Sequence, residues 1–256
     1  MKLGLVTYQI GKDMDVPTLI KTCEETGFEG VELRTTHAHG VEVTLSAAER
    51  ADVRKMFDDS SVELAGLGSA FEYHSADPAE LRRNIDGTAA YVDLAADLGC
   101  SGVKVRPNGF PEGKSEEETL QQIGESLREC GEYAQGKGVQ IRLEVHGRGT
   151  QYVPHIKTIL EVADHANVVA CWNSNQPEAE EGSIAPYFDM LRGRIGLVHC
   201  RDLCLTNYPW QELFGLLCGS GYRGFVLIEA PQTSDPVRVM SYIRTLFDAY
   251  MAPIKG

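Results

Sequence analysis

Four short apolar runs in the second half of the chain end on side chains able to ligate a metal or move a proton. They are Arg142-Leu143-Glu144-Val145-His146, Ala170-Cys171-Trp172-Asn173, Leu197-Val198-His199-Cys200-Arg201-Asp202 and Leu227-Ile228-Glu229-Ala230. Glu144, Asn173, His199 and Glu229 together offer two carboxylates, an amide and an imidazole. This oxygen-rich donor set suits Mn2+, Mg2+, Co2+ or Zn2+, and the lack of thiolates argues against a closed structural zinc site. An ion at such a site polarises a carbonyl and the hydroxyl beside it. Glu144 and Glu229, flanking a bound substrate, then form an acid/base pair in which one removes a proton and the other returns it. A single strand-end Glu or His more often caps a barrel through an ion pair, but four donors on successive strands weigh against that reading.

Alternation tests whether these donors converge, because side chains along a strand point to opposite faces in turn. On the fifth strand Val139, Ile141, Leu143 and Val145 share one face, and Gln140, Arg142, Glu144 and His146 share the other. Val103 and Val105 likewise oppose Lys104 and Arg106, and Val31 and Leu33 oppose Glu32 and Arg34. The apolar sets suit packing against helices, which leaves the polar sets pointing inward. Charged groups are rarely buried unless paired or coordinating, so an interior lined this way calls for a ligand.

The elements that must position these groups alternate without a break. Strands are predicted at Leu3–Thr7, Gly30–Arg34, Val62–Leu67, Gly102–Arg106, Val139–Val145, Val168–Asn173, Ile195–Arg201 and Phe225–Ala230. Amphipathic stretches between them read as helices. Two open on capping boxes, Ser46 with Glu49 and Ser115 with Glu118, and two others have Pro17 or Pro78 in the first turn. Eight strand–helix units of about thirty residues indicate a parallel sheet, and eight favour closure into a single (β/α)8 TIM barrel over residues 1–256. In that architecture the active site lies at the C-terminal ends of the strands, where the four donors fall.

Composition narrows the function classes. The net charge is −13 with no basic block, which disfavours nucleic acid as a partner. No apolar run approaches the roughly 20 residues of a membrane span, and the N-terminus reads as a strand instead of a signal peptide. The seven cysteines are scattered and form no C-x-x-C pair, as expected of reduced thiols in a cytoplasmic protein. A homo-oligomer is compatible with the sequence.

Further residues beside the mouth are candidate substrate contacts. His37 and His39 follow the second strand, and His74 follows the third in Phe71-Glu72-Tyr73-His74. Lys104 and Arg106 suit a phosphate, a carboxylate or sugar hydroxyls, with pairing to Glu32 or Glu72 as the alternative. His146, Gln176 and Arg201 complete the set, Arg201 and Asp202 being suited to orienting His199. Two motif matches are set aside. Gly219-Ser220-Gly221-Tyr222-Arg223-Gly224 precedes a strand and so lies on the stability face, and Gly109–Ser115 is one residue short of a P-loop and contains Pro111.

Taken with these motifs, the chain resembles the xylose isomerase-like TIM barrel superfamily, which includes sugar isomerases and epimerases, dehydratases and type IV apurinic endonucleases. The resemblance spans essentially the whole length. It is carried by Gly27-Phe28-Glu29-Gly30-Val31-Glu32-Leu33-Arg34, Leu143-Glu144, His199-Cys200-Arg201-Asp202 and Ile228-Glu229-Ala230. It implies that Glu144, His199 and Glu229 ligate a metal, that the two glutamates double as the acid/base pair, and that Glu32 holds substrate or supports a ligand. The implied activity is isomerisation or epimerisation of a sugar or sugar-like polyol, which makes a small carbohydrate the expected partner. A metal-dependent lyase (a dehydratase or a glycoside-cleaving eliminase), a non-catalytic sugar-binding barrel and an endonuclease are the alternatives. One departure stands out. The family pattern has Asp ending strand six and His three residues later, whereas this chain has Asn173 and Gln176. That implies a weaker metal site or a shifted ligand set that includes His146.

Overall fold

A computed structural model describes residues 1–175, 179 and 182–255. The strands are β1 (Lys2–Val6), β2 (Gly30–Arg34), β3 (Glu63–Glu72), β4 (Gly102–Arg106), β5 (Gln140–Glu144), β6 (Val168–Asn173), β7 (Ile195–Arg201) and β8 (Phe225–Glu229). The helices are α1 (Val16–Thr26), α2 (Ala47–Asp58), α3 (Pro78–Leu98), α4 (Glu116–Ala134), α5 (Val153–Ala163), α6 (Ala185–Leu191), α7 (Trp210–Gly219) and α8 (Pro236–Lys255). Each strand pairs in parallel with the next, and β8 closes on β1 through Lys2 opposite Phe225 and Leu5 opposite Ile228, so the sheet is a closed (β/α)8 barrel. Among the described residues no helix is long and apolar enough to cross a membrane.

Local chemistry explains the boundaries. Ser46 accepts from the Glu49 amide while Glu49 reaches back to the Ser46 amide, and Ser115 and Glu118 repeat the arrangement on α4. Gly27 and Gly99 end α1 and α3 with φ of 74° and 71°, a left-handed conformation that costs glycine little. The difference from the sequence reading is largest at β3, which continues past Leu67 to Glu72 through Gly68-Ser69-Ala70. That stretch lacks the bulky β-branched residues that announce a strand, and the Ser69 hydroxyl donating to the Lys104 carbonyl ties it to β4. The Gly219–Gly224 segment is the tight connection from α7 to β8, as expected.

The outward faces of the strands build the main core with the helices: Val31, Leu33, Val103, Val105, Ile141 and Leu143 are all buried. A small second cluster of Val6, Ala65, Cys171, Leu197 and Leu227 fills the barrel interior. Above it the inward positions turn polar, so the apolar plug is the floor of the site.

Five of the seven free cysteines are buried, Cys218 is half-buried and Cys204 is exposed. Burial pushes the Cys100 thiol up to about 11 and the Cys23 and Cys130 thiols up to about 12. Because the thiolate is the reactive form, Ellman titration of the native protein is expected to show Cys204 reacting first and Cys218 more slowly. The other five should appear only on denaturation; prompt reaction of all seven would contradict this packing.

Candidate metal centre and substrate cleft

Glycines make the space that the polar interior needs. Glu32 lies opposite Gly66 in the β2–β3 register, and Arg34 lies opposite Gly68. A Cβ on Gly66 would come within 3.0 Å of the Glu32 carboxylate, and one on Gly68 within 2.7 Å. Gly102 does the same for Arg142, whose guanidinium donates to the Ala65 carbonyl and the Ser101 hydroxyl beneath the site.

Within that space Glu144, His199 and Glu229 each bring one potential ligand atom to a common region, all within 4.8 Å of one another. His199 is fully buried and its two ring nitrogens face different partners. Nε2 lies 3.3 Å from Glu32 Oε2, and Nδ1 lies 3.6 Å from both Glu144 Oε1 and Glu229 Oε1. Nδ1 is buried and has no hydrogen-bond partner among the described residues. A ring that donates from Nε2–H to a carboxylate leaves a lone pair on Nδ1, the usual arrangement of a metal-ligating histidine and its supporting acid. Two donors each about 2.1 Å from one tetrahedral ion sit about 3.4 Å apart, close to the spacing found here. The donor set therefore fits a divalent cation, with Glu144, His199 and Glu229 as ligands and Glu32 behind the histidine.

Asn173 enters this group through Glu144. Its amide nitrogen donates to Glu144 Oε1 over 3.0 Å. Lys104 occupies the other oxygen, with Nζ 2.9 Å from Oε2. Both are buried. The expected alternatives for Lys104 were Glu32 or Glu72; its salt-bridge partner is instead Glu144. Burial favours the neutral acid at Glu144, yet the Lys104 ammonium and His199 outweigh it and hold the carboxyl well below its usual range. At Glu229 burial prevails over the attraction of His199 and the carboxyl is pushed up. Glu32 is held down against burial by His199 and Lys104. Burial opposes a charge on His199, but Cys171, Glu32 and Glu144 around it raise the imidazole well above its ordinary value.

Above these groups opens a cavity of about 260 Å3. Typical small-molecule pockets run from roughly 300 to 1,000 Å3, so this one suits a compact ligand. Every lining side chain carries a polar group, Glu144, Asn173 and Glu229 at the floor and Tyr8, Arg34 and Arg201 among those at the rim. Arg106 lines it too, and pairs with Glu72 as one of the two expected alternatives foresaw. His146 lines it with Nδ1 3.1 Å from Asn108 Oδ1, outside the three-residue ligand group. Burial pushes its imidazole down against the pull of Glu144.

Other expected contacts lie elsewhere. His39 is buried with both nitrogens on the backbone, Nε2–H donating to the Arg34 carbonyl and Nδ1 accepting from the Val41 amide. It braces the end of β2 and has no nitrogen left for substrate. His37 is half-buried beside Thr7, 3.3 Å from its hydroxyl. His74 lines a separate cavity of about 560 Å3 with Asn108, Phe110 and Arg148. Gln176 lies outside the described residues. Tyr8, Arg34, Gln151 and Asn175 line the cavity above Glu144 and Glu229 without having been singled out, and for Arg34 the signal was its place two residues beyond Glu32 on the inward face.

A family profile described as xylose isomerase-like TIM barrel matches residues 20–246. Among solved structures, an L-ribulose 3-epimerase superposes with a TM-score of 0.82 at 15% identity, covering 99% of this chain and 95% of that one. The IolI protein with a bound zinc atom gives 0.80 at 16% identity, with 99% of each chain covered. A 3-keto-D-glucoside 4-epimerase from E. coli gives 0.79 at 16% identity, covering 96% of this chain and 99% of that one.

Proposed function

Because the chain belongs to the xylose isomerase-like TIM barrel family, we propose that it is a divalent-metal-dependent isomerase or epimerase of a sugar or sugar-like polyol. The observation that carries this reading is the buried, unpartnered Nδ1 of His199 facing both Glu144 and Glu229 while Nε2 rests on Glu32. A bound cation would supply Lewis acidity to a carbonyl and the hydroxyl beside it. The chain's own residues do the rest. Glu229, with about a quarter of its side chain exposed to the cavity, would exchange a proton with a substrate carbon. Glu144 is its counterpart, its second oxygen held by Lys104, which steadies the carboxylate and offers a positive charge to an oxygen that becomes negative in the reaction. The polar lining satisfies the hydroxyls of a sugar. The epimerase names of the superposed proteins agree with this reading.

The test is solvent exchange. The manganese-loaded protein is incubated in deuterium oxide with a panel of ketoses and aldoses. Deuterium on a carbon next to the carbonyl, with an isomer formed and no other change in mass, is the expected result. Loss of water or of an aglycone would move the assignment to a lyase, and no exchange with any sugar would leave a binding barrel.

Asn173 bears on how tightly the ion is held. An aspartate there would add a negative charge beside Glu144 in a buried site, so Asn173→Asp is expected to raise manganese affinity by on the order of tenfold or more. Isothermal titration of both proteins checks this, and equal affinities would show that Asn173 does not limit the site.

A further inference from the structure

The cavity has more positive charge than its own carboxylates can balance. Four cations line it, Arg34, Lys104, Arg106 and Arg201, against two carboxylates, Glu144 and Glu229. A divalent ion on those two carboxylates would neutralise them and leave the excess standing. This happens in a chain whose net charge is −13, so the cluster does not reflect a generally basic surface.

Strand alternation explains where the excess sits. Two residues beyond Glu32 toward the open end comes Arg34; beyond Lys104 comes Arg106, and beyond His199 comes Arg201. One pleat above the ligand group, three strands thus present guanidinium groups to one cavity. Lys104 is paired with Glu144 and Arg106 with Glu72, although Arg106 Nε is buried without a hydrogen-bond partner. Arg34 and Arg201 have no carboxylate among the described residues. Arg34 lies over the Tyr8 ring, 5.2 Å from its centroid, which holds the guanidinium at the rim without using its N–H groups. Guanidinium groups in fixed planes match carboxylate and phosphate oxygens in pairs, whereas sugar hydroxyls need no such charge.

We infer that the substrate is an anionic sugar, its carbonyl end toward Glu144 and Glu229 and a carboxylate or phosphate group held by Arg34 and Arg201 at the rim. The inference rests on the reading of this mouth as a sugar site and adds the charge class of the sugar.

The test is calorimetric binding to the manganese-loaded protein of two matched pairs, D-fructose with D-fructose 6-phosphate and D-glucose with D-glucuronate, at low and high salt. At least one charged member is expected to bind about tenfold or more tightly than its neutral partner, an advantage that shrinks as salt rises. Which pair shows it identifies phosphate or carboxylate as the anion. Arg34→Gln and Arg201→Gln should each cost the charged sugar about tenfold and the neutral one markedly less. Equal binding within both pairs, or equal losses for charged and neutral sugars in the variants, overturns the inference. If either variant misfolds by circular dichroism, the comparison within the parent protein decides. Manganese content measured in the same samples separates the two readings. Bound manganese without charge preference removes the anion inference alone, and charge preference without bound manganese removes the metal-dependent reading alone.

Discussion

Glu229→Gln and Glu144→Gln are each expected to slow deuterium exchange into the substrate by about 10²–10⁴-fold, the usual worth of a positioned general acid or base. The two variants should differ in stability. Glu229 is about a quarter exposed, and no described residue donates a hydrogen bond to its carboxylate, so Glu229→Gln should melt close to the parent. Glu144 is buried and answers the charge of a lysine that is only 6% exposed. Removing one partner of a buried ion pair costs about 3–5 kcal/mol, moderated here because Lys104 can shed its proton. Denaturant melts of the metal-free proteins should therefore place Glu144→Gln well below both others. Unchanged exchange in Glu229→Gln would remove it from the proton relay, and equal stability of the two variants would show that the Lys104–Glu144 pair is not the buried contact described.

His199→Ala should lose manganese affinity by more than about a hundredfold. Glu32, which touches no ligand atom other than through the His199 ring, belongs to a class of supporting residue worth about 10–100-fold in metal affinity, so Glu32→Gln is expected in that range. The ligand itself should cost more than its support. Glu32→Gln keeps an oxygen that can accept from Nε2–H but loses the charge that makes Nδ1 a stronger donor. Competition with a chelating dye measures both constants. A Glu32→Gln loss as large as that of His199→Ala would mean that Glu32 ligates directly, and no loss in either would place the ion elsewhere.

The barrel was legible because both of its periodicities are plain in the chain. Strands such as Gly102–Arg106 alternate valine with a charged residue, and helices such as Ser115 onward open on a capping box. The convergence of Glu144, His199 and Glu229 was legible for the same reason, since alternation and the rule that such barrels work at the strand ends select them together. Partner choice was not. Alternation says that Lys104 points inward but not whether it meets Glu32, Glu72 or Glu144, which depends on barrel stagger and side-chain reach. His39 shows the same limit, because nothing in Thr35-Thr36-His37-Ala38-His39-Gly40 reveals that both its nitrogens close the loop on its own backbone. The glycines Gly66 and Gly68 were readable in principle. Inward positions on β3 that carry no side chain, next to inward carboxylate and guanidinium on β2, announce the room that Glu32 takes up.

We propose that one divalent ion sits between Glu144, His199 and Glu229. Anomalous scattering from crystals grown with manganese tests it most directly. A single strong peak within ligand distance of His199 Nδ1 and of a carboxylate oxygen from each of Glu144 and Glu229 is the predicted result. A peak elsewhere, or His199 Nδ1 hydrogen-bonded to protein with no peak beside it, would contradict the claim.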